Sequence, residues 1–146
     1  MYDEVIFYYH IMLLFSALNY GGIGSTIAHE ITHAFDDMGR HFDSTGQLHD
    51  WWTETTKDHF DERAQCFVTQ YGSTYDDQAK MLLNGNLTLA ENIADAGGLK
   101  GAFKAYQGTR VGKIEKTLPN LEHYTGNQLY FIASALVKSV FAKFIN

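Results

Sequence analysis

Two histidines four residues apart, His29 and His33, constrain this chain more than any other feature of its sequence. On a helix, residues at this spacing lie on one face about one turn from each other, so both imidazoles can reach one metal ion. Glu30 lies between them, which completes the pattern HExxH. In this pattern the glutamate flanks the metal without binding it and can accept a proton from bound water. The spacing therefore predicts a Zn²⁺-binding helix that also supplies a general base.

The residues around this pattern predict a second, apolar face on the same helix. Large apolar side chains recur every four residues, at Ile23, Ile27, Ile31 and Phe35. At about 100° per residue, Ile27 and His29 are separated by roughly 200°, so the two sets of side chains point in opposite directions. We therefore predict a helix over 25–35 with metal ligands on one face and the hydrophobic core on the other.

A catalytic zinc site needs a third protein ligand, and the best candidate is Glu91. Glu91 and Asp95 are four residues apart and share a helical face, whereas Ile93 faces the opposite side. Alone, such a pair is common on solvated helix faces, but small and apolar residues surround this one, and a buried charge needs a partner or a metal. We predict that Glu91 binds the metal and that Asp95 orients a ligating imidazole by accepting its N–H.

Hydrophobic periodicity and the placement of glycines predict a mainly helical fold. Besides the helix over 25–35, the predicted elements are helices over 51–72, 88–107 and 127–146, a helical signal over 78–83, a loop over 36–50 and room for one short N-terminal strand over 5–14. The glycine pair at 97–98 leaves open whether the helix over 88–107 is interrupted. The loop begins with Asp36 and Asp37, which can orient His33 or cap the loop.

Length and composition bound the fold and exclude several functions. A chain of 146 residues that is 45% hydrophobic is long enough for a single domain over 1–146 and too apolar to be disordered. Its net charge of −6 has the wrong sign for binding phosphate backbones, so we expect no nucleic-acid partner. One cysteine, Cys66, cannot form an internal disulfide. The apolar runs near both ends are too short or too interrupted to span a membrane, and the first lacks the basic flank of a signal peptide.

Four motifs, in this order, resemble those of the neprilysin and endothelin-converting enzyme family of zinc endopeptidases. They are NYGGIG over 19–24, HEITHAFDD over 29–37, DWW over 50–52 and ENIADAGGL over 91–99. The resemblance covers about 18–131 and implies a gluzincin-type helical zinc-binding core. It also implies that His29, His33 and Glu91 bind one Zn²⁺ per chain, with Glu30 as the general base and Asp95 supporting a ligand histidine.

The same resemblance implies a zinc-dependent metalloendopeptidase that acts on peptide substrates outside the cell or at its surface. Family members also carry an upstream Asn-Ala segment that binds the substrate backbone. Downstream they carry a histidine and an arginine that stabilise the transition state and hold the substrate carbonyl. None of these has a counterpart in the chain. We therefore expect a truncated and weakly active catalytic domain, whose apolar ends over 5–14 and 137–145 favour self-association or binding to the remainder of a peptidase. A non-catalytic zinc-binding or interaction domain, or an inactive fragment, is the alternative.

Overall fold

The computed structural model describes residues 16–112 and 118–145, with side chains described up to residue 139. This part of the chain is mainly helical, as predicted. In chain order the elements are α1 (Ser16–Asn19), a π-helical turn (Tyr20–Gly24), α2 (Ser25–Thr32), 3₁₀-helices (His33–Phe35 and Gly39–His41), α3 (Glu54–Gly72), β1 (Tyr75–Asp76), β2 (Met81–Leu82), α4 (Leu89–Arg110) and α5 (Gly126–Ile145). The strand predicted over 5–14 lies outside the described residues.

The structure explains where one predicted helix begins and shows that another is continuous. Helix α3 begins at Glu54 because the side chain of Thr53 caps it, accepting a hydrogen bond from the backbone N–H of Thr56 at 3.2 Å. Helix α4 runs from Leu89 to Arg110 without interruption at the glycine pair. Among the described residues, no helix combines the length and apolar character that crossing a membrane requires.

The helical signal over 78–83 is wrong, because this segment belongs to a short antiparallel hairpin. Tyr75 pairs with Leu82, and Asp76 pairs with Met81. The side chain of Asp76 accepts hydrogen bonds from the backbone N–H groups two and three residues further along, at 2.8 and 2.9 Å. Such local bonds offer the backbone an alternative to a helix. Lys80 then adopts a φ of 56°, in the left-handed region that reverses the chain.

The chain forms two compact units, one of Met1–Ala28 with Gly98–Asn146 and one of His29–Gly97. The core of the first unit is built on two fully buried tyrosines, Tyr106 and Tyr130, whose rings stack with centroids 5.9 Å apart. The hydroxyl of Tyr130 donates to the carbonyl of Leu99 at 2.7 Å, which satisfies its polar atom inside the core. Burial also raises the pKa of Tyr130. A single domain over 1–146 stays a prediction.

The second unit contains every residue predicted to form the metal site. Its buried apolar residues are small, Ala64 and Ala94. Larger side chains, among them Trp52, Phe60 and Ile93, line a groove of about 390 Å³. The unit therefore relies on helix contacts through small residues, and its aromatic residues lie near the surface.

The prediction that the isoleucine stripe faces the core is wrong for the described part of the chain. The four side chains of the stripe, Ile23, Ile27, Ile31 and Phe35, are between 52% and 63% exposed. The first unit instead buries small residues at a spacing of four, Ala17, Gly21 and Ser25. These let α1 and the π-helical turn pack closely against α5. The segment thus carries two stripes of helical periodicity, and the stripe of small residues is the buried one.

We expect Gly21→Ala to destabilise the chain, because a Cβ at this position would lie 2.1 Å from the backbone carbonyl oxygen of Tyr130. Backbone cannot yield as a flexible side chain can, so the free energy of unfolding should fall by about 1–3 kcal/mol. The matched control is Gly101→Ala in α4, where an added Cβ meets no atom within 4 Å. That variant should gain about 0.5–1 kcal/mol. Urea unfolding followed by circular dichroism measures both, and equal stability of the two variants would contradict the close packing at Gly21.

Candidate metal centre

The imidazoles of His29 and His33 converge on one point. His29 lies in the last turn of α2, and His33 begins the 3₁₀-helix that continues it. Their Nε2 atoms are 3.0 Å apart, and the two rings are nearly perpendicular, with centroids 4.6 Å apart. The four-residue spacing therefore brings both histidines to one side of the helix, as the sequence predicts.

Glu91, in the first turn of α4, completes a group of three possible ligands. Its Oε2 atom is 3.5 Å from Nε2 of His29, and its Oε1 atom is 3.6 Å from Nε2 of His33. One ligand atom from each residue can be chosen so that all lie within 4.8 Å of one another. Donors bound tetrahedrally at zinc distances are separated by about 3.3 Å. The three residues thus fit a single metal ion.

A carboxylate lies behind each imidazole. Nδ1 of His29 is 2.7 Å from Asp95 Oδ1, and Nδ1 of His33 is 2.6 Å from Asp36 Oδ2. Because an ionised carboxylate can only accept, the hydrogen bond to Asp36 places a proton on Nδ1 of His33, and the ion-pair contact with Asp95 favours a proton on Nδ1 of His29. In the neutral form of each ring, Nε2 then carries the lone pair. Two such lone pairs 3.0 Å apart repel each other unless a cation or a proton lies between them. The donor set is therefore arranged for a cation.

Asp36 is held by more than His33. Its carboxyl group is almost fully buried, and its Oδ1 atom accepts the backbone N–H groups of Met38 at 2.8 Å and Gly39 at 2.6 Å. Burial alone would raise the pKa of Asp36, but these bonds and the bond from His33 together lower it. Asp36 thus both orients the histidine and caps the following turn, which are the two roles that the sequence leaves open.

The site has a negative potential that favours positive charge. The hydrogen bond to Asp36 raises the pKa of His33, burial opposes the shift, and the charges of Glu91 and Glu30 add to it. An arrangement that stabilises a protonated imidazole also favours a metal cation at the same place. Glu30 is itself exposed and contributes through its charge. Of the five predicted site residues, four are therefore joined by close contacts, and Glu30 lies beside them at the surface.

The approach of α4 to the HExxH segment depends on a glycine. A Cβ on Gly97 would lie 2.5 Å from Cγ2 and 2.9 Å from Oγ1 of Thr32. Thr32 immediately precedes His33, and Gly97 is two residues beyond Asp95. The absence of a side chain at Gly97 therefore lets the two segments come close enough for the contact between His29 and Asp95.

Comparisons with known proteins agree with this geometry. A family model described as peptidase family M13 matches residues 8–140. The chain belongs to peptidase family M13. The matched span includes the 18–131 over which the motifs resemble the family and extends beyond it on both sides.

Relatives in family M13 include neprilysins and an endothelin-converting enzyme. The chain is 51% identical over 123 residues to neprilysin-1 of Caenorhabditis elegans, with 83% of the chain and 16% of that protein covered. It is 49% identical over 124 residues to human neprilysin and 47% identical over 123 residues to endothelin-converting enzyme 1 of Bos taurus, in each case covering 84% of the chain and 16% of the relative. The chain thus spans about a sixth of the length of these relatives.

Solved structures of similar fold point to the same family. The chain aligns with the zinc metalloprotease ZMP1 of Mycobacterium tuberculosis at a TM-score of 0.75 and 37% identity, covering 83% of the chain and 19% of that structure's chain. It aligns with the Haemonchus galactose-containing glycoprotein complex at a TM-score of 0.74 and 39% identity, with the same coverage.

We expect Gly97→Ala to weaken metal binding while the chain stays folded. The new methyl group must push Thr32 and α4 apart, which lengthens the ion-pair contact between Asp95 and His29. Loss of such a supporting contact lowers metal affinity about 10–100-fold, and a displacement that lengthens the contact should give the lower end of this range. Gly101→Ala, one turn further along α4 with open space around its Cβ, is the control. Competition with a chromophoric chelator measures both affinities, and equal affinities would contradict the role of Gly97.

Proposed function

We propose that the chain carries the zinc-binding core of a zinc-dependent metalloendopeptidase, with His29, His33 and Glu91 as ligands of one Zn²⁺. The observation that supports this most directly is the convergence of two imidazole nitrogens and one carboxylate within 3.0–3.6 Å. Membership of family M13 supports the reaction, because its members are described as peptidases.

The donor set favours zinc over other common cations. Mg²⁺ and Ca²⁺ select oxygen ligands, whereas two histidines and one glutamate are a known ligand set of catalytic zinc. Three protein ligands leave a fourth position for water or substrate. The side chain of Glu91 is 68% exposed, so the metal side of the site is open to solvent in the described part of the chain. This is the accessibility that a hydrolytic site requires.

The residues around the ligands have distinct proposed roles in hydrolysis. When bound, Zn²⁺ would supply a Lewis acid that polarises the scissile carbonyl and makes water more acidic. Glu30 accepts a proton from the attacking water and passes it to the leaving amine. Asp95 keeps Nδ1 of His29 protonated, so that Nε2 of the same ring stays free to bind the metal. Asp36 does the same for His33.

We further propose peptides as substrates and a location outside the cell or at its surface, both from the resemblance to the neprilysin family. If the chain is secreted, the sequon Asn86-Leu87-Thr88 offers a glycosylation site, since Asn86 is exposed in a turn. Self-association through 5–14 and 137–145 stays a prediction, because most of these side chains lie outside the described part.

We expect His33→Ala to release most of the zinc from the purified chain, because two remaining ligands make a poor site. Glu91→Ala should also release zinc, while the exposed His123→Ala should retain about one zinc per chain. Metal content after dialysis, measured by atomic emission, tests this. Full zinc content in both His33→Ala and Glu91→Ala would remove the ligand assignment.

We expect Glu30→Gln to separate binding from chemistry. The amide cannot accept the proton of the attacking water, so hydrolysis should be abolished, yet zinc content should stay close to one because Glu30 is not a ligand. Parallel measurement of zinc content and of fluorogenic peptide cleavage checks both parts. Zinc loss in this variant would mean that Glu30 belongs among the ligands.

We expect the 146-residue chain, tested alone, to cleave peptides at least about a thousandfold more slowly than a full-length relative. Removing one group that stabilises the oxyanion typically costs about 2.7–4 kcal/mol, and lost orientation of the substrate adds to this. Initial rates on one fluorogenic peptide, at equal zinc occupancy, give the comparison. Full activity from a strictly monomeric preparation would show that residues of the 146-residue chain themselves stabilise the oxyanion and orient the substrate.

A further inference from the structure

Arg40 joins the turn that follows the HExxH segment to helix α3. It lies in the 3₁₀-helix Gly39–His41, and its side chain is only 16% exposed. The guanidinium Cζ atom lies 4.4 Å from the ring centroid of Phe60 and 5.9 Å from that of Trp52. Its Nη1 atom is 2.9 Å from Asp61 Oδ1. One arginine thus contacts two aromatic rings and a carboxylate in the same unit.

The aromatic contacts distinguish this arginine from an ordinary surface ion pair. Asp61 is 61% exposed, and an ion pair with such a partner contributes little because water screens it. A guanidinium is planar and weakly hydrated, so it stacks well on an aromatic face, and an ammonium does not replace it. The ring of Phe60 therefore fixes where the Arg40 side chain lies.

The backbone of Arg40 belongs to the same turn as Asp36. The N–H of Arg40 donates to the backbone carbonyl of Asp36 at 3.2 Å, and the N–H groups of Met38 and Gly39 donate to the Asp36 carboxylate. The other oxygen of that carboxylate, Oδ2, accepts a hydrogen bond from Nδ1 of His33 at 2.6 Å. A continuous path of contacts therefore leads from α3 through Arg40 and Asp36 to His33.

We propose that Arg40 is a positioning residue of the metal centre, because its side chain fixes the turn over 36–40 to Phe60 and Asp61 so that Asp36 holds His33 in its metal-binding orientation. The inference rests on the proposed function, since it requires His33 to be a ligand. A residue that only stabilised the unit would contribute to metal affinity independently of Asp36. A residue that acts through Asp36 contributes only while Asp36 is present.

A double-mutant cycle separates these two cases. Zn²⁺ affinity is measured by chelator competition for the wild-type chain, Arg40→Ala, Asp36→Ala and the double variant. We expect Asp36→Ala to lower affinity about 10–100-fold, as for other groups that orient a ligand, and Arg40→Ala to lower it up to about tenfold. The double variant should bind no more weakly than Asp36→Ala alone. An undiminished effect of Arg40→Ala in the Asp36→Ala background would overturn the proposal.

Arg110→Ala is a matched control. Arg110 also stacks on an aromatic ring, with Cζ 4.9 Å from the centroid of Tyr106, and it donates to Asn127 at 2.7 Å, but it belongs to the other unit. Its loss removes a similar set of contacts and should leave zinc affinity unchanged. The visible spectrum of the Co²⁺-loaded chain, which reports ligand geometry, should change in Arg40→Ala and not in Arg110→Ala. Identical Co²⁺ spectra in the wild type and Arg40→Ala would contradict a positioning role.

Phe60→Leu keeps the test decisive if Arg40→Ala loses helicity. Leucine retains apolar volume but removes the aromatic face, so the guanidinium loses its platform while the turn keeps its sequence. We expect a severalfold loss of zinc affinity, and an unchanged affinity in folded Phe60→Leu would overturn the proposal. Failure of the proposed function looks different. The wild-type chain itself would then bind no zinc, or would bind it as well after His33→Ala.

Discussion

The arrangement of the metal centre depends on two short contacts, an ion pair of Nδ1 of His29 with Asp95 and a hydrogen bond from Nδ1 of His33 to Asp36. Each contact favours a proton on Nδ1 and leaves Nε2 of the same ring directed toward Glu91. The two carboxylates reach the histidines from different directions, one from α4 and one from the turn after α2. The Nε2 atoms of the two rings are thereby held 3.0 Å apart, a separation at which two lone pairs repel each other unless a cation or a proton lies between them.

The rest of the second unit can be understood as support for these contacts. Gly97 lets α4 approach Thr32, which brings Asp95 to His29. The backbone N–H groups of Met38 and Gly39 orient the Asp36 carboxylate and favour its ionised form. These supporting contacts are polar or made through a residue without a side chain, and the aromatic rings of Trp52 and Phe60, which line the groove, contact the same turn through Arg40.

The spacing of residues predicts the part of the structure that helix geometry alone determines. Positions 29 and 33 must share a face, and so must 91 and 95. Glu91 joins the two histidines in the prediction for another reason, because a catalytic zinc site needs a third ligand and small and apolar residues surround this carboxylate. The roles of these residues in metal binding and catalysis stay predictions, because the positions of the side chains show which reactions are feasible but not that they occur.

Tertiary placement explains what the sequence could not predict. Ile27 and Gly21 belong to two stripes of equal periodicity, and the pattern does not say which one meets a neighbouring helix. Asp76 captures two backbone N–H groups, which turns a segment of helical composition into a hairpin. Nothing in the spacing of Arg40 singles it out, since Phe60 is twenty residues further along and the contact exists only in the folded unit.

The residues that surround the metal position come from two parts of the chain that are distant in sequence, 29–36 and 91–95. The complete ligand set therefore exists only when the second unit is folded, and a cation that requires all three ligands binds the folded state in preference to the unfolded one. Binding and folding are then thermodynamically linked, and the stability of the unit rises with the logarithm of free metal concentration above the dissociation constant. In an environment poor in metal, the same negative potential that attracts a cation becomes a source of electrostatic repulsion among Glu91, Asp95 and Asp36.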